Sequence, residues 1–127
     1  MKLRLALLVS LVAFAFAPAA EAKLCVRITA PRTALAGQVV TVRVTTLLPT
    51  WQNGRLGGVR PVGFSGRLLE LELRGPAWDT LRLRRSSRPA IWLARIVFAH
   101  RGVWKLYVAG WESAPRECAP EARVLVR

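Results

Sequence analysis

An all-β sandwich is the fold class this sequence predicts, on three observations. Past residue 22 the apolar residues recur mostly at a spacing of two, and no helical 3.6 period is sustained over three turns. The alternating runs are rich in Val, Ile and Thr, side chains that suit a pleated, half-buried surface. Gly, Pro and Ser cluster between those runs at short intervals, as turns require.

The elements follow in order. In residues 24–29, Leu24, Val26 and Ile28 alternate with Cys25, Arg27 and Thr29, and Pro31 ends the run. After an Ala36-Gly37 turn, residues 38–46 set Val40, Val42 and Val44 against Thr41, Arg43 and Thr45. Residues 67–74 place Leu69, Leu71 and Leu73 on one face and Leu68, Glu70, Glu72 and Arg74 on the other. Gly75-Pro76 punctuates, and residues 80–85 alternate Leu81 and Leu83 with Arg82 and Arg84. Residues 86–89 turn the chain into residues 90–99, where Trp92, Ala94, Ile96 and Phe98 oppose Ile91, Leu93, Arg95 and Val97. Arg101-Gly102 leads into residues 103–109, with Trp104, Leu106 and Val108 inward, and residues 122–127 form a last strand. Trp92 and Trp104 read as core residues.

About seven antiparallel strands within roughly 105 residues is the pattern of an immunoglobulin-like β-sandwich. A small β-barrel is the alternative, because periodicity does not distinguish the two. The chain has 127 residues, enough for one ordinary domain, here residues 23–127. Its 53% hydrophobic content excludes a disordered tail.

Residues 1–22 stand outside the fold argument. Lys2 and Arg4 precede an apolar run from Leu5 to Phe16, and Ala20-Glu21-Ala22 offers small residues where a signal peptidase cuts. That is the grammar of a secretory signal peptide, with a mature start at Lys23 and a periplasmic or extracellular destination. An uncleaved segment serving as a membrane anchor is the rival, but the run falls short of the roughly 20 residues that span a bilayer. No transmembrane segment is expected after cleavage.

With 20 Lys and Arg against 7 Asp and Glu, the net charge is +13. Basic residues Arg82, Arg84, Arg85 and Arg88, with Arg74 and Arg67 as further members, are expected to form one cationic face on a sheet. Such a face suits an anionic polymer or an acidic envelope protein. A solvated strand face whose Arg content follows GC-rich codons would read the same way. No aromatic platform of a known nucleic-acid-binding fold accompanies it, so no specific nucleic acid is expected.

The pair Cys25 and Cys118 is expected to form a disulfide, since an exported chain meets an oxidising compartment. In an immunoglobulin-like sandwich part of the first strand runs parallel beside the last, which brings the two strand starts to one end. Residues 47–66 contain five Gly and two Pro and read as a long loop, whose Trp51, Arg55, Arg60 and Phe64 make a candidate contact surface. The alternative there is a loop whose aromatics tuck back onto the core. Trp78, beside Gly75-Pro76, is open to both readings.

Three segments in order, Ile28-Thr29-Ala30-Pro31 with Ala36-Gly37-Gln38-Val39-Val40-Thr41-Val42, then Trp92-Leu93-Ala94, then Gly102-Val103-Trp104-Lys105-Leu106-Tyr107-Val108, resemble exported bacterial immunoglobulin-like domains of the YtkA-like and copper-resistance type. That resemblance implies a β-sandwich of the cell envelope and, in its copper-binding members, a metal held by an N-terminal His and further His residues. This chain departs from that set, since its one His is His100. No metal site or cofactor is expected. Nor is a catalytic set: no phosphate-binding Gly loop, nucleophile elbow or Cys-x-x-Cys is present. The expected function is a non-enzymatic exported binding or structural accessory module, with a periplasmic metal-handling protein and a small hydrolase as the alternatives.

Overall fold

The computed structural model describes residues 24–64, 68–111 and 114–127. The signal peptide read over residues 1–22, and Arg67, lie outside the described residues. Among the described residues ten strands build two sheets: β1 (Cys25–Thr29), β2 (Thr33–Ala34), β3 (Val39–Gln52), β4 (Arg55–Pro61), β5 (Glu70–Arg74), β6 (Trp78–Arg82), β7 (Arg84–Arg85), β8 (Ile91–Val97), β9 (Gly102–Val108) and β10 (Glu121–Val126). One sheet has the order β1-β3-β8-β7, with β4 also on β3, and the other runs β2-β10-β9-β5-β6. These are called the β3 sheet and the β9 sheet. No ladder joins them among the described residues, so the fold is a sandwich and not the barrel.

The period-two runs turn the expected faces inward. Val26 and Ile28, then Val40, Val42 and Val44, then Trp92, Ala94 and Ile96 line the β3 sheet's inner side. Leu71 and Leu73, Trp104, Leu106 and Val108, and Val124 and Val126 answer from the β9 sheet. Each large side chain buried this way contributes about 1.5–3 kcal/mol. The Trp104 indole donates to the His100 carbonyl at 3.0 Å, whereas the buried Trp92 Nε1 has no partner.

Strand number exceeds the seven expected, for reasons that lie at the sandwich edges. The chain changes sheets at both. At one edge β1 ends before Pro31 and β2 joins the other sheet, parallel to β10 through Leu125↔Thr33 and Val126↔Ala34. At the opposite edge the run read as one strand over residues 80–85 divides at Leu83. β6 pairs with β5, Leu83 keeps a backbone bond to the Leu69 carbonyl and buries its side chain, and β7 then pairs with β8.

The third departure lies in the segment read as a long loop over 47–66, where residues 47–61 form a hairpin. β3 continues through it and returns as β4, pairing Leu47↔Pro61, Leu48↔Arg60, Pro49↔Val59 and Thr50↔Gly58, then, past a register shift, Trp51↔Leu56 and Gln52↔Arg55. Asn53 and Gly54 both have positive φ, 53° and 74°, the two-residue turn whose twist matches a right-handed hairpin. Pro49 fits because of direction. The Thr46 N–H donates to Ala90 and its carbonyl accepts from Val62, so even-numbered residues here bond toward β8 and β4. Odd-numbered Pro49 therefore turns its missing donor toward the side where β1 has already ended. Thr46 itself is fully buried at the junction, its hydroxyl donating to the Val62 carbonyl at 2.5 Å.

Candidate functional site

The strands of the β3 sheet are where cationic residues gather with no carboxylate among them. Its five strands carry Arg27, Arg43, Arg55, Arg60, Arg84, Arg85 and Arg95 and contain no Asp or Glu. The five strands of the β9 sheet carry Arg74, Arg82, Lys105 and Arg123 against Glu70, Glu72, Asp79 and Glu121, which cancel. The excess charge of the strands thus belongs to one sheet.

Register shows how the outward guanidinium groups are spaced. Leu93 on β8 stands opposite Arg43 on one side and Arg84 on the other, and Arg95 follows two residues along, opposite Thr41. With strands about 4.8 Å apart and about 3.4 Å per residue, Arg43 and Arg84 start about 10 Å apart and Arg95 about 8 Å from each. This is a triangle of cations around a half-buried Leu. Summed fields of this kind attract and hold polyanions.

The cationic face read from the sequence has a different membership. Arg82 and Arg84 do not share a sheet face, because the crossing at Leu83 separates them. Arg82 is on β6, directly across from Glu70. Arg74 is on β5, ion-paired to Glu72 at 2.6 Å, with its guanidinium 4.8 Å from the Trp78 ring and 4.4 Å from the Tyr107 ring. It belongs to a satisfied cluster on the other sheet, and Trp78 is an exposed partner in that stack. Arg85 donates to the Phe64 carbonyl at 2.9 Å and lies 4.9 Å over the Trp92 ring, capping the core's edge. Arg88 is exposed in the turn before β8, its backbone tied to the Ser86 hydroxyl. Of the five, Arg84 stands on the outer face of the β3 sheet, and Arg43 and Arg95 stand near it there. Alternation along β3 and β8 placed those two outward, but which strands are neighbours was not readable.

A groove of about 820 Å³ opens beside the crossing, lined by Leu81, Arg82, Arg84, Arg85 and Arg95 with Thr41, Leu93 and Ala94. Arg82 and Arg84, separated by sheet, thus meet again at its walls.

The four residues of the expected contact loop part company. Trp51, Arg55 and Arg60 are exposed on the β3–β4 hairpin. Phe64 instead packs on the core, with ring centroids 6.5 Å from Trp92 and 5.6 Å from Trp111.

Cys25 and Cys118 form a disulfide across a Cα separation of 6.2 Å. Cys118 closes a 3₁₀ turn, Arg116–Cys118, just before β10, and the bridge packs with Leu47 in a small cluster of its own. It joins the β3 sheet to the chain entering the β9 sheet at one end of the sandwich, as the strand starts implied. Among the described residues, no helix is long and apolar enough to cross a membrane, and no three His, Cys, Asp or Glu converge as metal ligands. No family model matches the chain, and no curated protein matches it.

Proposed function

We propose that this chain is an exported, non-enzymatic accessory module of the cell envelope that holds an anionic partner on its β3 sheet. The observation that carries the reading is the separation of charge: five strands with seven Arg and no carboxylate, packed against five that are neutral. A disulfide within a small domain fits an oxidising compartment, and residues 1–22 have the grammar of a signal peptide. The likeness to exported immunoglobulin-like domains of the YtkA-like and copper-resistance type agrees with that location. Intact-mass analysis of the exported product is expected to give a chain starting at Lys23, and a full-length membrane-retained product would refute cleavage.

Retention on a sulfated polysaccharide resin tests the face. Arg43, Arg84 and Arg95 changed together to Gln is compared with Arg74, Lys105 and Arg123 changed together to Gln, which removes equal charge from the other sheet at positions away from the groove. The first variant is expected to elute at clearly lower salt and the second close to wild type. Equal shifts would mean that net charge alone acts, and the assignment to the β3 sheet would fall.

A further inference from the structure

One edge of β8 is paired with β3 along its whole length, and among the described residues the other is covered only in part. The carbonyls of Ala90 and Phe98 accept from Thr46 and Gly37 on the β3 side, and the Ile91 carbonyl accepts from Ser86 on the other. Since backbone direction alternates along a strand, Leu93, Arg95 and Val97 present their N–H and C=O groups away from β3. β7 is two residues long and reaches Trp92 and Leu93, because the chain before it has left for the β9 sheet at Leu83. Among the described residues, no strand pairs with residues 95–97 on that side.

Bare strand edges are templates for another strand. What surrounds this one restricts the occupant. Arg82, Arg84 and Arg95 line the groove at the edge, and Leu81 forms an apolar part of its wall. On the outer face Val97 is 56% exposed and its cross-strand neighbour Val39 51% exposed. A second copy of the chain adding by the same edge would bring another set of Arg82, Arg84 and Arg95 up to the first, a concentration of like charge that opposes pairing. A strand with carboxylates at every second position would instead meet Arg84 and Arg95 on the outer face and turn its intervening apolar residues toward Leu81.

We propose that the open stretch of β8, residues 95–97, takes an extended acidic segment of a partner protein as an added strand. The inference rests on the anionic-partner reading and narrows it to a peptide held by backbone hydrogen bonds as well as charge.

The probe is a blocked eight-residue peptide alternating Glu with Val and Thr, titrated against the full domain and followed by amide exchange. Binding is expected, with exchange slowed at the Arg95 and Val97 amides. Two complementary N-methylated versions separate hydrogen bonding from charge: methylation of the amides facing β8 is expected to weaken binding about ten-fold or more, as loss of two or so hydrogen bonds implies, while the other pattern is tolerated. Val97→Pro removes no bond to β3, since that N–H points to the open side, and is expected to abolish peptide binding while retention on the sulfated resin persists. If both methylated peptides bind like the parent, or Val97→Pro binds normally, strand addition is wrong and charge alone holds the peptide. Retention on the resin without any peptide binding likewise overturns strand addition and leaves a non-peptide polyanion as the partner. If neither peptide nor resin is held, the underlying reading fails as well.

Discussion

The β9 sheet answers its own charges and the β3 sheet does not. On the first, Arg74 is clasped by Glu72 and two aromatic rings, Arg82 stands across from Glu70, and Arg123 lies 3.5 Å from Glu121. On the second, Arg43, Arg84 and Arg95 surround a Leu with no carboxylate on any of the five strands. The two sheets share one core and one chain, so the contrast lies in what each outer face is left to bind. A face that satisfies itself is spent on stability; a face of one sign is available to a partner.

The largest expected effect tests what ties the sheets together. Replacing Cys25 and Cys118 with Ser is expected to cost about 2–5 kcal/mol and to lower the melting temperature by about 10 °C or more. A bridge closing 93 positions of sequence constrains the unfolded chain strongly. Alkylation of the native protein without reductant is expected to label neither Cys.

Next comes the crossing between the sheets. Leu83→Ala is expected to cost about 2–5 kcal/mol in chemical denaturation, because its side chain is fully buried between the layers. Leu93→Ala, on the outer face of β8 and only half-buried, is expected to cost about 1 kcal/mol or less. Equal costs would mean that Leu83 does not anchor the crossing.

The smallest effects compare single arginines across the two sheets. Arg74→Gln removes an ion pair and two ring contacts and is expected to destabilise by about 1 kcal/mol. Arg84→Gln, exposed on the β3 sheet, is expected to stay within about 0.5 kcal/mol. A larger loss at Arg84 than at Arg74 would reverse the assignment of structural and binding roles.

Much of this fold was legible in the residues. Alternation at Val40, Val42 and Val44, at Leu69, Leu71 and Leu73, and at Trp104, Leu106 and Val108 identified the inward faces correctly, and the two Cys were read as a pair. The hairpin was missed because its Gly content and Pro49 were weighed as loop composition. Asn53-Gly54, with Leu48 before it and Leu56 and Val59 after it, was the available signal for two paired strands.

The crossing at Leu83 is a different failure. Leu81 and Leu83 keep a strict period of two through the change of sheet, so the pattern reports inward and outward but not which layer a residue belongs to. The membership of the cationic face depends on that layer. Arg82 and Arg84 are identical in spacing to any two outward neighbours on one strand, yet one faces Glu70 and the other borders the Arg43 and Arg95 cluster.

The disulfide also decides how the molecule carries load. A pull applied outside the bridged pair, through Leu24 on one side and Ala119 on the other, passes from Cys25 to Cys118 along covalent bonds. The residues between them, which hold nine of the ten strands, lie off the line of force. Of the ten strands described, β10 alone lies beyond Cys118 in series with the tension, and peeling its 6 residues from β9 and β2 releases about 20 Å of chain. Stretched at its ends, the oxidised protein would behave as a short tether with a hard stop, and reduction would turn the same chain into one that unravels through its whole length.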